Sequence, residues 1–88
     1  MTWAVKRTDT FLDSLKAIRK NKEALAELDK KIKRLQEDPL HLGGWLSGDL
    51  HGKKSTRISR KYRLIFTPTE TEKVVYLNWI YHRKTAYE

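Results

Sequence analysis

The apolar residues of this chain change their period partway along it, and that change confines the chain to helices layered on a sheet. Phe11, Leu12, Leu15 and Ile18 recur at the spacing of one helix face, and Thr8, Asp9 or Thr10 can accept hydrogen bonds from the first free N–H groups. The spacing predicts a helix near residues 9–20. A second stripe, Leu25, Leu28, Ile32 and Leu35, begins after Asn21 and ends before Asp38-Pro39, because proline disfavours helical geometry in the residue before it. It predicts a helix over 22–37. The link between the two is short enough to make an antiparallel hairpin with both stripes on one surface.

What covers that surface is read from alternation. Trp3 and Val5 alternate with Thr2, Ala4 and Lys6. Leu64 and Phe66 alternate with Arg63 and Ile65, and Val75, Leu77 and Trp79 with Val74, Tyr76, Asn78 and Ile80. A weaker strand near 54–59 is joined to the one at 62–67 through Arg60-Lys61, and residues 68–73 read as a polar turn. The expected fold is therefore α+β in the order β-α-α-β-β-β: a small antiparallel-type sheet with the N-terminal helical hairpin packed on one face.

With 88 residues, the chain is expected to form a single domain over 1–88, since so short a chain cannot divide its apolar surface between two cores. It has no cysteine, which removes disulfides, thiol nucleophiles and cysteine zinc sites and fits a reducing setting. No apolar run reaches the roughly 18 residues of a membrane span, and the first residues lack an apolar stretch of signal-peptide length, so a soluble cytoplasmic protein is expected.

A net charge of +8 favours polyanions or an acidic protein as partner, and its location says more than its sum. Residues 8–38 hold eight basic and seven acidic side chains, the composition of solvated helix faces. Residues 50–69 hold Lys53, Lys54, Arg57, Arg60, Lys61 and Arg63 with no acid at all. Such crowding is destabilising without an internal counter-charge and points to an external anion. Arg57 and Arg63 fall on adjacent expected strands, where paired guanidiniums can grip a phosphate.

Other chemistry is poorly served. The segment Gly48 to Ser55 resembles a phosphate loop but has one residue too few between its glycines and enters a strand rather than a helix. His41, His51 and His82 include no pair at the helical spacing that aims two imidazoles at one metal, so neither a metal nor a small-molecule cofactor is expected. If the anion is RNA, cleavage without a metal needs a base for the 2′-hydroxyl proton, cations for the charge building on the phosphoryl oxygens, and an acid for the leaving 5′-oxygen. Arg57, Arg63, Arg83, Lys53 and Lys54 can supply the positive charge, with Arg60 and Lys61 as further RNA contacts. His82 and Tyr87 are the candidate proton carriers, with Lys53, Lys54 or His51 in reserve.

The run Leu50-x-Gly52, Ser55-x-Arg57-Ile58, Tyr62-Arg63-Leu64-Ile65-Phe66 and the terminal Tyr81-His82-Arg83 with Tyr87 resembles the RelE/ParE superfamily of toxins. The segment from Gly48 to Phe66 is similar to the YoeB/Txe branch, and Arg83-x-x-x-Tyr87 to the RelE branch. The resemblance implies an mRNA interferase that works on mRNA in the ribosomal A site and is silenced by an acidic antitoxin. It assigns Arg63 to the scissile phosphate, Arg57 to a basic strand position, and Arg83, Tyr87 and His82 to the terminal catalytic positions. The glutamate of the YoeB branch has no acidic counterpart near Gly44-Trp45. Two other readings stay open: a ParE-like toxin that poisons DNA gyrase without cutting, and a non-toxic binding domain of the same fold.

Overall fold

The computed structural model describes residues 2–83. The chain folds as an α+β layer of β1 (Ala4–Arg7), α1 (Asp9–Ser14), α2 (Lys22–Glu37), β2 (Gly44–Trp45), β3 (Lys54–Arg57), β4 (Tyr62–Thr69) and β5 (Val74–His82). None of the described helices is long and apolar enough to cross a membrane.

The two helices start where side chains can satisfy their free amides. Thr8 caps α1 by accepting from the Phe11 N–H at 3.1 Å, and Asn21 caps α2 by accepting from the Ala24 N–H at 3.0 Å. The first helix is shorter than its apolar spacing predicts: α-helical pairing ends at Ser14, and Leu15–Ala17 form a 3-10 turn. Ala24, Leu28 and Leu35 of α2 are buried, with Leu25 and Ile32 packed beside them. The exposed ion pairs on its outer face, Lys30–Glu27 and Lys33–Asp29, each contribute well under about 1 kcal/mol. Helix stability therefore rests on the inner face.

The sheet order is β1-β5-β4-β3-β2. It is mixed rather than antiparallel throughout: β1 joins β5 in parallel, while β2–β3, β3–β4 and β4–β5 are antiparallel. Alternation marks a strand without naming its partner, so this non-local pairing had no local signal. β3 stops at Arg57 because the N–H groups of Ile58 and Ser59 both turn back to the Tyr62 carbonyl. β4 continues through Pro68, which alternation placed in a turn. β3 pairs with β4 only as far as Phe66, so beyond it β4 has a free side on which a residue without an N–H is tolerated. The two-residue β2 carried no periodicity to find. Its entry is made by Gly43, whose φ is +73° and where any Cβ would collide with the Ser55 carbonyl oxygen.

One irregularity orders the whole sheet. Ile65 pairs with Trp79 but Phe66 pairs with Leu77, so Asn78 is an extra residue in β5. The core accordingly takes Val75, Leu77 and then Ile80 from β5, with Leu64 and Phe66 from β4. Strict alternation grouped Trp79 with Leu77; the bulge sends Trp79 to the opposite face. Both ends of α1 hold it. The Thr8 hydroxyl donates to the carbonyls of Leu77 (2.7 Å) and Asn78 (3.1 Å), and the Ser14 hydroxyl oxygen accepts from the Ile80 N–H (2.9 Å). Thr67 adds a hydroxyl donated to the Asn78 side-chain oxygen at 2.7 Å.

Thr8→Val removes both the helix cap and the grip on the bulge while keeping the side-chain volume. Urea unfolding is expected to show a loss of about 2 kcal/mol. A loss below about 0.5 kcal/mol, within the usual range for surface changes, would mean that the hydroxyl does not hold this register.

Candidate functional site

The basic segment folds into a strand, a tight hairpin and a second strand, which brings Arg57, Arg60, Lys61 and Arg63 to one end of the sheet. Arg57 pairs with Arg63, and Arg63 pairs in turn with Tyr81, so three side chains stand in one row on the sheet face opposite the helices. Two like charges directly opposite each other are unfavourable. The Arg63 Nε donates to the Ser55 hydroxyl at 2.8 Å, which orients that guanidinium without neutralising it. The exposed Arg57 guanidinium makes no hydrogen bond or ion pair with any described residue.

Arg83 closes the cluster. Its backbone N–H donates to the Lys61 carbonyl at 2.7 Å and its side chain to the Arg60 carbonyl at 3.3 Å, fastening the end of β5 to the β3–β4 hairpin. Arg57, Arg60, Lys61 and Arg83 together line an open depression of about 460 Å³. Its described walls carry no carboxylate. Four cations around one concavity attract phosphates and bind them by charge-assisted hydrogen bonds, bidentate where an arginine is free.

Lys54, expected among the RNA contacts, is withdrawn from this surface. It lies opposite Phe66, on the core side of β3, and is only 1% exposed. Its ammonium donates to the carbonyls of Pro39 and Leu40 and sits 4.8 Å from the centre of the Trp45 ring. The cation thus serves the fold, tying the segment after α2 to β3. Burial lowers its pKa below the ordinary lysine value, against a smaller upward pull from Asp38. Lys53 stands at the entry to β3, where its N–H donates to the Leu50 carbonyl, and His51 is exposed in the preceding turn; neither lines the depression.

His82 pairs with Tyr62, the rings meeting edge to face at 5.2 Å and 80°, so its register places it on the helix side of the sheet. The bulge at Asn78 is the reason: unbroken alternation gives His82 the face that Tyr81 occupies. Tyr87 lies outside the described residues. Sequence reasoning missed Tyr81, because parity counted from Leu77 assigns it to the wrong face. It also missed Ser55 as the acceptor that orients Arg63, although the Ser-x-Arg spacing was noted. Among the described residues no group of three His, Asp or Glu could hold a metal ion.

Against this geometry the comparisons with known proteins are specific. Residues 5–87 match the family described as ParE toxin of type II toxin-antitoxin system, parDE. The chain belongs to that family. The toxin is similar in structure to the toxin-antitoxin complex RelBE2 from Mycobacterium tuberculosis, at 25% identity and a TM-score of 0.79, covering 94% of this chain and 93% of that one. It shares its fold with YafQ from E. coli, at 14% identity and a TM-score of 0.79 over 98% and 99% of the two chains. The same holds for the YoeB/ParE toxin from Agrobacterium tumefaciens, at 16% identity and a TM-score of 0.76 over 90% and 96%. No curated protein matches the sequence. The protein is thus a toxin of the type II toxin-antitoxin class within the RelE/ParE superfamily.

The buried lysine of this toxin gives a pH test. Its folded pKa lies below the unfolded value of 10.5, so between the two the unfolded chain binds more protons and stability rises with pH. The cost of burying the charge is fully present below that window. As pH is raised from neutrality toward 10.5, the urea midpoint of the wild type is expected to gain on that of Lys54→Met, which has no amine to neutralise. A midpoint difference that stays flat or moves the other way would contradict the assignment.

Proposed function

We propose that the toxin is a ribosome-dependent endoribonuclease that cuts mRNA in the A site by attack of a 2′-hydroxyl on the adjacent phosphorus. The observation that carries this reading is the cation cluster: Arg57 and Arg63 stand opposite one another, and Arg57, which has no partner among the described residues, joins Arg60, Lys61 and Arg83 around a depression whose described walls carry no acid. In the reaction a base removes the 2′-hydroxyl proton, the new O–P bond forms as the bond to the 5′-oxygen breaks, and an acid protonates that oxygen. The products are a 2′,3′-cyclic phosphate and a 5′-hydroxyl. Arg63 and Arg57 stabilise the charge building on the non-bridging oxygens, while Arg83, Arg60 and Lys61 hold the flanking backbone. The candidate proton carriers are Tyr87 and His82, the latter on the helix side of the sheet and brought to the cluster only by its place beside the lining Arg83 at the end of β5.

The partner in this reading is an acidic antitoxin, as RelBE2 is a toxin-antitoxin complex. Two surfaces suit it: the cation cluster, and a shallow apolar groove of about 190 Å³ between the helices lined by Phe11, Leu15, Leu25, Leu28 and Ile32. Association is expected to slow as salt rises, because charge attraction steers the encounter. A second reading, poisoning of DNA gyrase without RNA cleavage, is favoured by the name of the matching family.

Primer extension on mRNA in a translation extract decides between them. Cuts dependent on the ribosome, abolished by Arg63→Ala and reduced by Arg57→Ala while both variants melt like the wild type, are the expected result. Cleavage should persist in excess chelator on a substrate whose presentation does not itself need magnesium. Stabilised gyrase–DNA breaks with no RNA cuts would establish the other reading. In single-turnover cleavage, His82→Gln is expected to slow the chemical step by roughly a hundred- to ten-thousand-fold; an unchanged rate would pass its role to Tyr87.

A further inference from the structure

Arg57 and Arg63 are partners across β3 and β4, but their side chains serve different places. The Arg63 Nε is drawn to the Ser55 hydroxyl at 2.8 Å, and Ser55 stands two residues before Arg57 on the same strand, about 7 Å further from the hairpin. Arg57 instead lines the depression of about 460 Å³ with Arg60, Lys61 and Arg83, and Arg63 does not. The side chains of Arg57, Arg60 and Lys61 are exposed and make no hydrogen bond or ion pair with a described residue. That of Arg83 reaches only the neutral Arg60 carbonyl. Glu23 borders a separate cavity of about 170 Å³ with Asn21, Ser59, Arg60 and Lys61, and forms no ion pair with either of these cations.

We infer that this depression binds a condensed phosphate chain, the triphosphate group shared by inorganic polyphosphate and nucleoside triphosphates. The inference goes beyond the endoribonuclease reading and needs neither ribosome nor RNA. Charge density decides the ligand class. Along a nucleic-acid strand each phosphate carries one negative charge, and a sugar separates it from the next. Only bridging oxygens separate condensed phosphates, so a triphosphate gathers about as many charges as the depression has cations into the space of one nucleotide. The volume falls in the range of small-molecule sites, roughly 300–1,000 Å³, and exceeds what a single phosphate fills. The lining consists of cations alone, with no aromatic or apolar side chain to receive a base. Arginine forks grip phosphate oxygens in pairs, and Lys61 adds a flexible point charge. Because Arg57 belongs to both places, a bound chain competes with any anion that Arg57 and Arg63 hold together.

The test is calorimetric titration of the toxin with tripolyphosphate, ATP, pyrophosphate and orthophosphate, in magnesium-free buffer at fixed ionic strength. Tripolyphosphate and ATP are each expected to bind at least about tenfold more tightly than orthophosphate, with pyrophosphate between them. Equal affinity assigns recognition to the chain itself, and a tighter ATP or a tighter tripolyphosphate names its source. The double exchange Arg60→Gln with Lys61→Gln, and Arg57→Ala alone, should each weaken tripolyphosphate binding by roughly tenfold or more, as charge-assisted hydrogen bonds are lost. Arg63→Ala should leave it within about twofold, as should Lys30→Gln with Lys33→Gln, which removes the same charge from the exposed face of α2. The hairpin is held by backbone groups, so its variants keep the fold, and Lys61→Gln alone gives a smaller loss in the same direction. Equal losses in the α2 and hairpin variants, an Arg63→Ala loss as large as that of Arg57→Ala, or orthophosphate bound as tightly as tripolyphosphate would overturn the assignment. RNA cleavage is decided separately by primer extension, so either reading can fail without the other.

Discussion

The site depends on a single extra residue. Asn78 interrupts the ladder between β4 and β5, and every side chain after it stands on the face opposite to the one that period-two counting gives. The interruption is held from the helical layer: Thr8 donates to the two carbonyls at the bulge, and Ser14 accepts the Ile80 N–H. The same two side chains serve α1, Thr8 as its cap and Ser14 through a 2.8 Å bond to the Phe11 carbonyl. A short helix that could not persist alone is thereby tied to the strand whose register decides which side chains stand beside Arg63.

The charges divide into those the fold uses and those it leaves unanswered. Lys54 is consumed internally, its ammonium against the Pro39 and Leu40 carbonyls and the Trp45 ring. Arg63 is oriented by Ser55 but stays positive, and Arg83 is fastened to the Arg60 carbonyl. Neutral acceptors fix these guanidiniums in place without cancelling their charge. A preorganised set of cations of this kind does not have to reorganise when an anion arrives, which is the condition under which electrostatic stabilisation is strongest. The unfavourable opposition of Arg57 and Arg63 is tolerable because the rest of the sheet, closed over Phe11, Leu35, Phe66 and Leu77, supplies the stability.

The sequence by itself determined the layers. The helical stripes at 9–18 and 22–35, the stop before Asp38-Pro39, and the alternation around Leu64 and Leu77 are local signals of helix period, proline geometry and strand period. The second stripe and its stop survive whole, the first ends in a 3-10 turn after Ser14, and the alternation holds on β4 but breaks on β5 after Leu77. It also determined that the uncompensated charge lies between Lys53 and Arg63, since that is a matter of composition along the chain. What only the tertiary structure decided is which side of the sheet each residue serves. Partner choice put β1 parallel to β5, the register put Lys54 under Phe66 in the core, and the bulge exchanged Tyr81 for His82 beside Arg63. Side chains alternate with period two, so one inserted residue inverts the assignment of all that follow. The hydrogen bonds that fix the insertion come from residues 66 to 70 positions away in sequence, beyond the reach of any local pattern.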